Sequence, residues 1–327
     1  MAENIQAVMK EQLLHRKEKL EDVLGRSGEQ GDVRSLLLQV DAALRRMEER
    51  TYGLCLTCHD PIEQDRLMAD PLLEFCLDHL TPVQQRALEE DLSLAVQVQR
   101  GLLPSLPFAL PGWEAHYYYR PASAVSGDYC DLVPSEGEGF HFFLGDVSGK
   151  GVAASMLMSN LHALFRALIP QNLPLGHLVM RASRFFCEST LPMHYATLIC
   201  GRAGAHGAIE FCNAGHPPLL HLRDAGVEEY PSTGLPIGVF CDSGFRTERF
   251  RLAPGEALLA YTDGLIEAKN ATGEEFGRDR LRALGKGLPV REPRTVAEAC
   301  LKALDDFRGR TPLSDDLTLM VLRHVEP

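Results

Sequence analysis

From Trp113 onward, apolar residues fall into short runs, several of them alternating with polar ones, bounded by Gly, Pro, Asn and Asp. WEAHYYYRP, FHFFLGDV, ATLICGRA, IEFCNAG, PLLHLR, EALLAYTDG and LTLMVLRH have the length and punctuation of strands. Longer stretches at helical spacing interrupt them, from about residue 153 to 169, 175 to 189 and 296 to 307. Many short strands with helices grouped between them predict an α+β sandwich flanked by helices, not alternating βαβ units.

The first part of the chain is patterned differently. Ile5, Met9, Leu13, Leu20 and Leu24 recur about once per turn, and Val33, Leu36, Leu37, Val40, Leu44 and Met47 resume the period after the Gly-rich break GRSGEQGD. This predicts a helical hairpin over 1–50; the alternative is one interrupted helix of a dimeric coiled coil. Residues 51–80 are short, turn-rich and cysteine-bearing. Thr81 and Pro82 read as the N-cap and first residue of a further helix. In it Leu88, Leu92, Ala95, Gln99 and Leu102 form a short seam with a polar break at Gln99. Pro104, Pro107 and Pro111 end the helix as a stiff linker. The expected division is therefore a hairpin (1–50), a small Cys-rich module (51–80), a linker or coiled-coil helix (81–111) and the sandwich (112–327).

Composition narrows the classes. A 45% hydrophobic and 24% charged chain of 327 residues is ordinary globular protein. A net charge of −12 leans against direct nucleic-acid or anionic-membrane binding. We read no apolar run of the roughly 20 residues a membrane span needs, and no signal-peptide core in the charged N-terminus. The expectation is a cytoplasmic protein without a membrane partner. Its nine cysteines are then thiols or metal ligands, the six outside 51–80 being small buried apolar residues.

Within the small module, Cys55-x-x-Cys58 is followed after seventeen residues by Cys76-x-x-His79. Two such knuckles supply four soft or borderline ligands, the closed tetrahedral shell of one structural Zn²⁺; His59 is a less convenient fourth ligand than His79. The stretch from Arg50 to His79 resembles the DksA/TraR-type zinc finger through Tyr52-Gly53, both knuckles, Ile62, Arg66-Leu67, Ala69 and Pro71. It departs from that family at His79, where Cys is usual. The resemblance implies RNA polymerase as a partner; a folding and interaction module is the alternative.

Four aspartates each lie at the end of an apolar run that reads as a strand: Asp128 in SGDYCD, Asp146 in GDVSGKG, Asp263 in YTDG and Asp315 in SDDLT. Carboxylates gathered at one sheet edge suit hard divalent ions such as Mg²⁺ or Mn²⁺. Two such ions can activate water against a phosphomonoester. A single Asp-Gly is usually just a turn; four acids each placed at a strand-like run are not so easily explained.

The motifs AVQVQRGLLPSLP, RPASAVSGDYCDL, FLGDVSGKGVAASMLM, FCNAGHPPLL, TGLPIGV, AYTDGLIEAKNATGEEFG and SDDLTLMVLR, in this order, resemble the SpoIIE-like branch of the PPM metal-dependent phosphatases, the protein phosphatase 2C-like enzymes. The resemblance implies a PPM β-sandwich and two Mn²⁺ or Mg²⁺ ions. It implies hydrolysis of phosphoserine or phosphothreonine on a regulatory protein, a STAS-type anti-sigma-factor antagonist in partner switching. Asp146 matches the bridging acid, the Val147 carbonyl adds a ligand, and Asp128, Asp263 and Asp315 match the remaining carboxylates. Asp316 reads as a neighbour, and Asp131 as a supporting or strand-edge acid. Ser126 and Cys130 replace the usual Gly and Tyr, and Ser148 stands where eukaryotic relatives carry a catalytic His. Lys150 is a candidate phosphate contact, with a solvated loop lysine as the alternative; His216 in NAGHPP reads as a structural turn. The family places a dimerising helix where 82–103 lies, which implies a homodimer. Two other functions compete: an RNA-polymerase-binding regulator with an inert sandwich, against which the four intact aspartates argue, and a two-metal phosphodiesterase or nuclease, which the acidic balance disfavours.

Overall fold

The computed structural model describes residues 2–27, 31–80, 82–135, 139–191, 193–242, 244–288 and 291–326. Helices α1 (Ala2–Ser27), α2 (Gly31–Glu48) and α3 (Gln64–Ala69) are followed by the long α4 (Pro82–Leu102). Strands β1 (Phe108–Leu110), β2 (Trp113–Arg120), β3 (Asp128–Pro134) and β4 (Phe140–Val147) precede the pair α5 (Gly151–Leu168) and α6 (Leu175–Ser189). Then come β5 (Ala196–Ala203), β6 (Ala208–Ala214), β7 (Leu219–Arg223), β8 (Gly226–Tyr230), β9 (Glu248–Arg251) and β10 (Ala257–Tyr261). The short α7 (Asp263–Ile266), α8 (Gly277–Gly287), α9 (Pro293–Arg308) and β11 (Leu317–His324) complete the chain.

Two compact units result, Met1–Asp91 and Leu92–Pro327. In the first, α1 and α2 bury Met9, Leu13, Val40 and Ala43 against one another, and Lys17 bonds Asp41 at 2.7 Å. The expected break between these helices falls partly on 28–30, outside the described residues, as does the expected N-cap Thr81.

The second unit is two stacked antiparallel sheets, ordered β1-β2-β11-β10-β7-β8 and β3-β4-β5-β6-β9. Alternation along each strand sends one set of side chains between the sheets and the other outward. Trp113, Phe140, Phe142, Leu144, Ile199, Phe211 and Met320 fill the space between them. Outward residues of the second sheet, such as Phe143 and Leu198, meet Phe165, Leu178 and Phe186 of α5 and α6. Those of the first, such as Leu259 and Leu319, meet Leu281, Val296 and Leu304 of α8 and α9. Both faces of each sheet are covered, so β3 and β4 are buried almost continuously.

Several expectations change. The proline-rich linker contains strand β1, and β8, β9 and α8 are elements the apolar pattern did not announce. Cys187 and Cys241 form a disulfide joining α6 to the β8–β9 connection, so two of the dispersed cysteines are paired rather than small apolar fillers; Cys130, Cys200, Cys212 and Cys300 are free and buried. The helical stretch Gly151–Gln171, 21 residues with an 18-residue window of mean hydropathy 1.4, is long and apolar enough to cross a membrane, which corrects the reading that no such run exists. Their apolarity has a local cause, since Met158, Leu161, Phe165 and Leu168 bury one face in the helix-covered core.

Candidate active site

The antiparallel registers bring the strand-edge acids to one end of the sandwich. Asp128 opens β3 and stands directly opposite Asp146 near the end of β4. Asp263 follows β10, and Asp315 precedes β11, whose first residues pair with the end of β2. Asp146 and Asp263 stand at the ends of strands, as expected of all four, whereas Asp128 opens β3 and Asp315 precedes β11, which corrects that expectation. Antiparallel neighbours run in opposite directions, so ends and beginnings meet at the same edge.

Each acid has its own setting. Asp128 lies between the sheets, its Oδ2 accepting hydrogen bonds from the hydroxyls of Thr262 (3.1 Å) and Thr318 (2.5 Å). Burial, reinforced by the charge of Asp146, holds its carboxyl well above the usual range. Asp146 is half-buried, and burial together with Asp263, Asp315 and Asp316 pushes its carboxyl up to about 7. Burial and then Asp315 raise Asp263. Lys150 sets its ammonium 2.8 Å from Asp315 Oδ2 and donates to the Ser314 carbonyl, so it is ion-paired rather than freely solvated.

The surrounding backbone is held in detail. Asp316 accepts from the amides of Ala122 (2.7 Å) and Gly127 (2.8 Å), which occupies both its oxygens with the turn before β3. A side chain at Gly127 would press on the Val147 carbonyl and approach Asp146 Oδ1, so the absence of a Cβ leaves those oxygens clear. At Gly264 a Cβ would collide with the Asp316 carbonyl, and glycine lets the start of α7 close on the segment 315–316.

Two residues, Gln99 and Asp131, acquire roles the sequence reading missed. Gln99, the polar break in the α4 seam, is buried; its Nε2 donates to the Ser126 carbonyl at 2.7 Å and its Oε1 accepts from the Ser126 amide at 3.0 Å. Ser126 Oγ in turn accepts from the Asp128 amide. A glutamine among apolar seam positions was the available signal. Asp131 is no strand-edge acid beside the site: three residues from Asp128, it points to the opposite face. There it is fully buried under α5 and takes two bonds from Arg166, at 2.7 and 2.8 Å. His216 is buried with Nδ1 2.8 Å from the Thr197 hydroxyl, and burial pulls its imidazole down to about 3; a neutral ring of this kind braces the 213–217 turn.

In the N-terminal unit, Cys55, Cys58, Cys76 and His79 are the one group among the described residues whose ligand atoms all lie within 4.8 Å of one another. Cys76 Sγ lies 3.2 Å from His79 Nδ1 and 3.7 Å from Cys58 Sγ. Three thiols and an imidazole fit a closed Zn²⁺ shell. The aspartate edge is a different donor set, all hard oxygens with one paired ammonium, and fits Mg²⁺ or Mn²⁺. Divalent cations there would relieve the mutual repulsion that adds to burial in raising Asp146 and Asp263.

Comparisons with known proteins bear on the second unit. The profile of the family described as Stage II sporulation protein E (SpoIIE) matches residues 136–325, over half the chain. Protein IcfG of Synechocystis is 31% identical over 216 residues, which cover 57% of this chain and 34% of IcfG. Phosphoserine phosphatase RsbP of Bacillus subtilis is 29% identical over 185 residues, covering 55% of this chain and 46% of RsbP. The chain thus spans less than half the length of either relative. The SiaA-PP2C domain of Pseudomonas aeruginosa superposes with a TM-score of 0.66 at 20% identity, covering 75% of this chain and 99% of that domain, a likeness of fold. With its two covered antiparallel sheets and its acids gathered at one edge, the chain belongs to the SpoIIE family.

Proposed function

We propose that the protein is a metal-dependent serine/threonine phosphatase acting on a phosphorylated regulatory protein, a STAS-type anti-sigma-factor antagonist in a partner-switching circuit. The observation that carries this is the meeting of Asp128, Asp146, Asp263 and Asp315 at one sheet edge of a SpoIIE-family sandwich. Relatives named phosphoserine phosphatases support the reaction class.

Asp146, the Val147 carbonyl, Asp128, Asp263 and Asp315 would hold two Mn²⁺ or Mg²⁺ ions. When bound, such ions make an attacking water easier to deprotonate near neutral pH and offset charge on the phosphoryl group. The protein's own groups do the positioning. Asp316 clamps the turn that carries Asp128, and Gly127 keeps the Val147 carbonyl and Asp146 unobstructed. Thr262 and Thr318 fix the Asp128 carboxyl between the sheets. Lys150 offers an ammonium at this edge and exchanges Asp315 for an arriving phosphoryl oxygen.

The Cys/His group of the first unit would hold one structural Zn²⁺, as in the DksA/TraR-type finger its sequence resembles. On that resemblance the unit serves as an RNA-polymerase-binding module; on the resemblance to the SpoIIE-like phosphatases, α4 serves as a dimerising linker. Capture of purified polymerase by the full chain, but not by a Cys76→Ser variant, tests the first. Mn²⁺-dependent phosphate release by wild type against Asp146→Asn tests the phosphatase; equal rates would refute the assigned centre.

A further inference from the structure

The acid edge is framed by large apolar side chains that the fold leaves in solvent. Val152 and Met156 stand on the first turns of α5, the latter 68% exposed. Leu191 (71%) and Met193 (91%) lie on the α6–β5 connection, and Val239 and Phe240 (60%) on the β8–β9 connection. Exposing so much apolar surface is unfavourable by about 25 cal/mol per Å², and clustered patches of this kind on a monomer mark interaction sites.

Local bonding ties the three segments to the site and to each other. Ser148, two residues after Asp146, donates its amide to the Tyr195 carbonyl (2.9 Å) and accepts the Tyr195 amide on Oγ (3.0 Å). Ala196 and Ile237 exchange amide-to-carbonyl bonds of 3.0 and 2.9 Å, which lays the β8–β9 connection alongside. The Cys187–Cys241 bridge anchors the same connection to α6 next to Phe240. The first turn of α5 packs beside Gly127, where a Cβ would lie 3.2 Å from that of Ala154.

We infer that this apolar frame is the docking surface for the folded protein that carries the phosphoserine, and that it recognises exposed apolar side chains flanking that residue. The inference rests on the phosphatase reading: a phosphoryl group delivered to Asp146 brings its carrier's surface down onto these segments. A small phosphomonoester reaches the acids without touching them.

The test uses the full chain with Mn²⁺ and two substrates, p-nitrophenyl phosphate and a serine-phosphorylated STAS-domain protein. Met193→Asp and Phe240→Asp alter exposed side chains outside the hydrophobic cores. Each should raise KM for the phosphoprotein about tenfold or more, as loss of an apolar anchor does, while kcat/KM for p-nitrophenyl phosphate stays within about twofold. An unchanged phosphoprotein KM, or equal losses on both substrates, would overturn the docking surface. So would variants that shift the sedimentation of the free protein from dimer to monomer with no change in phosphoprotein KM, because the patch then belongs to a second copy of the chain. If the wild type hydrolyses neither substrate, the phosphatase reading falls and takes the docking surface with it.

Discussion

Gln99 offers the sharpest test of how the helix before the sandwich supports the acid edge. Its amide pairs with both main-chain groups of Ser126, and Ser126 is wholly enclosed. A Gln99→Leu change keeps the bulk and removes both bonds. Leaving one buried polar group unpaired costs about 1–3 kcal/mol, so two groups set an upper range of about 2–6 kcal/mol. Relaxation and water entry return part of it, leaving about 2 kcal/mol of lost preference for the native turn. At about 1.4 kcal/mol per tenfold, the turn bearing Asp128 is weakened by more than a factor of about ten. The expected outcome is a fall of about ten- to a hundredfold in kcat/KM for p-nitrophenyl phosphate, and a higher Mn²⁺ concentration for half-maximal rate. Urea unfolding of the same variant separates a local effect from global instability. A kcat/KM within about twofold of wild type, with the turn's bonds removed, would refute the coupling.

Asp146→Asn should reduce Mn²⁺-dependent phosphate release to background while the protein remains folded by circular dichroism. Arg166→Met strips the fully buried Asp131 of its bidentate partner and should destabilise the second unit by about 3 kcal/mol in urea, toward the low end because the Arg166 side chain is 42% exposed; the double change Arg166→Met, Asp131→Leu should recover much of the loss. Burial, and then the charge of Arg202, pull His141 down to about 4. The unfolded chain, titrating near 6.5, therefore binds the proton first, and stability falls as pH drops from about 6.5 to 4, by up to about 3 kcal/mol for this group. Urea midpoints of wild type and His141→Gln at pH 7 and pH 4.5 check this, since the variant should lose the part of the pH dependence that His141 supplies. Purified protein should carry one zinc per chain, released by thiol modification and absent from Cys76→Ser, with loss of helical signal from the first unit; a zinc-free, fully folded native chain would refute the site.

Much of the fold was legible in the sequence because strands covered on both faces advertise themselves as apolar runs. FHFFLGDV and LTLMVLRH are β4 and β11, and 175–189 is α6. Among the elements that escaped, the strands β1, β8 and β9 are short and only partly buried, so no apolar signal marks them. The same logic explains the site. Acids at the edges of apolar runs, and two knuckles at metal-ligand spacing, are local features that survive in one dimension.

What the sequence by itself determined was therefore local: the elements, the residue types at their ends, and the family motifs in order. Tertiary structure alone decided which partners those residues meet. Asp131 is three positions from Asp128, yet strand alternation turns it away from the acid edge to Arg166. Asp316 serves the turn at Ala122 and Gly127, and Cys187 finds Cys241 across 54 residues. Gln99 stands in a seam whose period marks it as a defect, and it anchors the main chain beside Asp128 instead. The physical reason is common to all four. Hydrogen bonds, ion pairs and disulfides join atoms a few ångströms apart whatever their separation along the chain, and only the packed sandwich sets those distances.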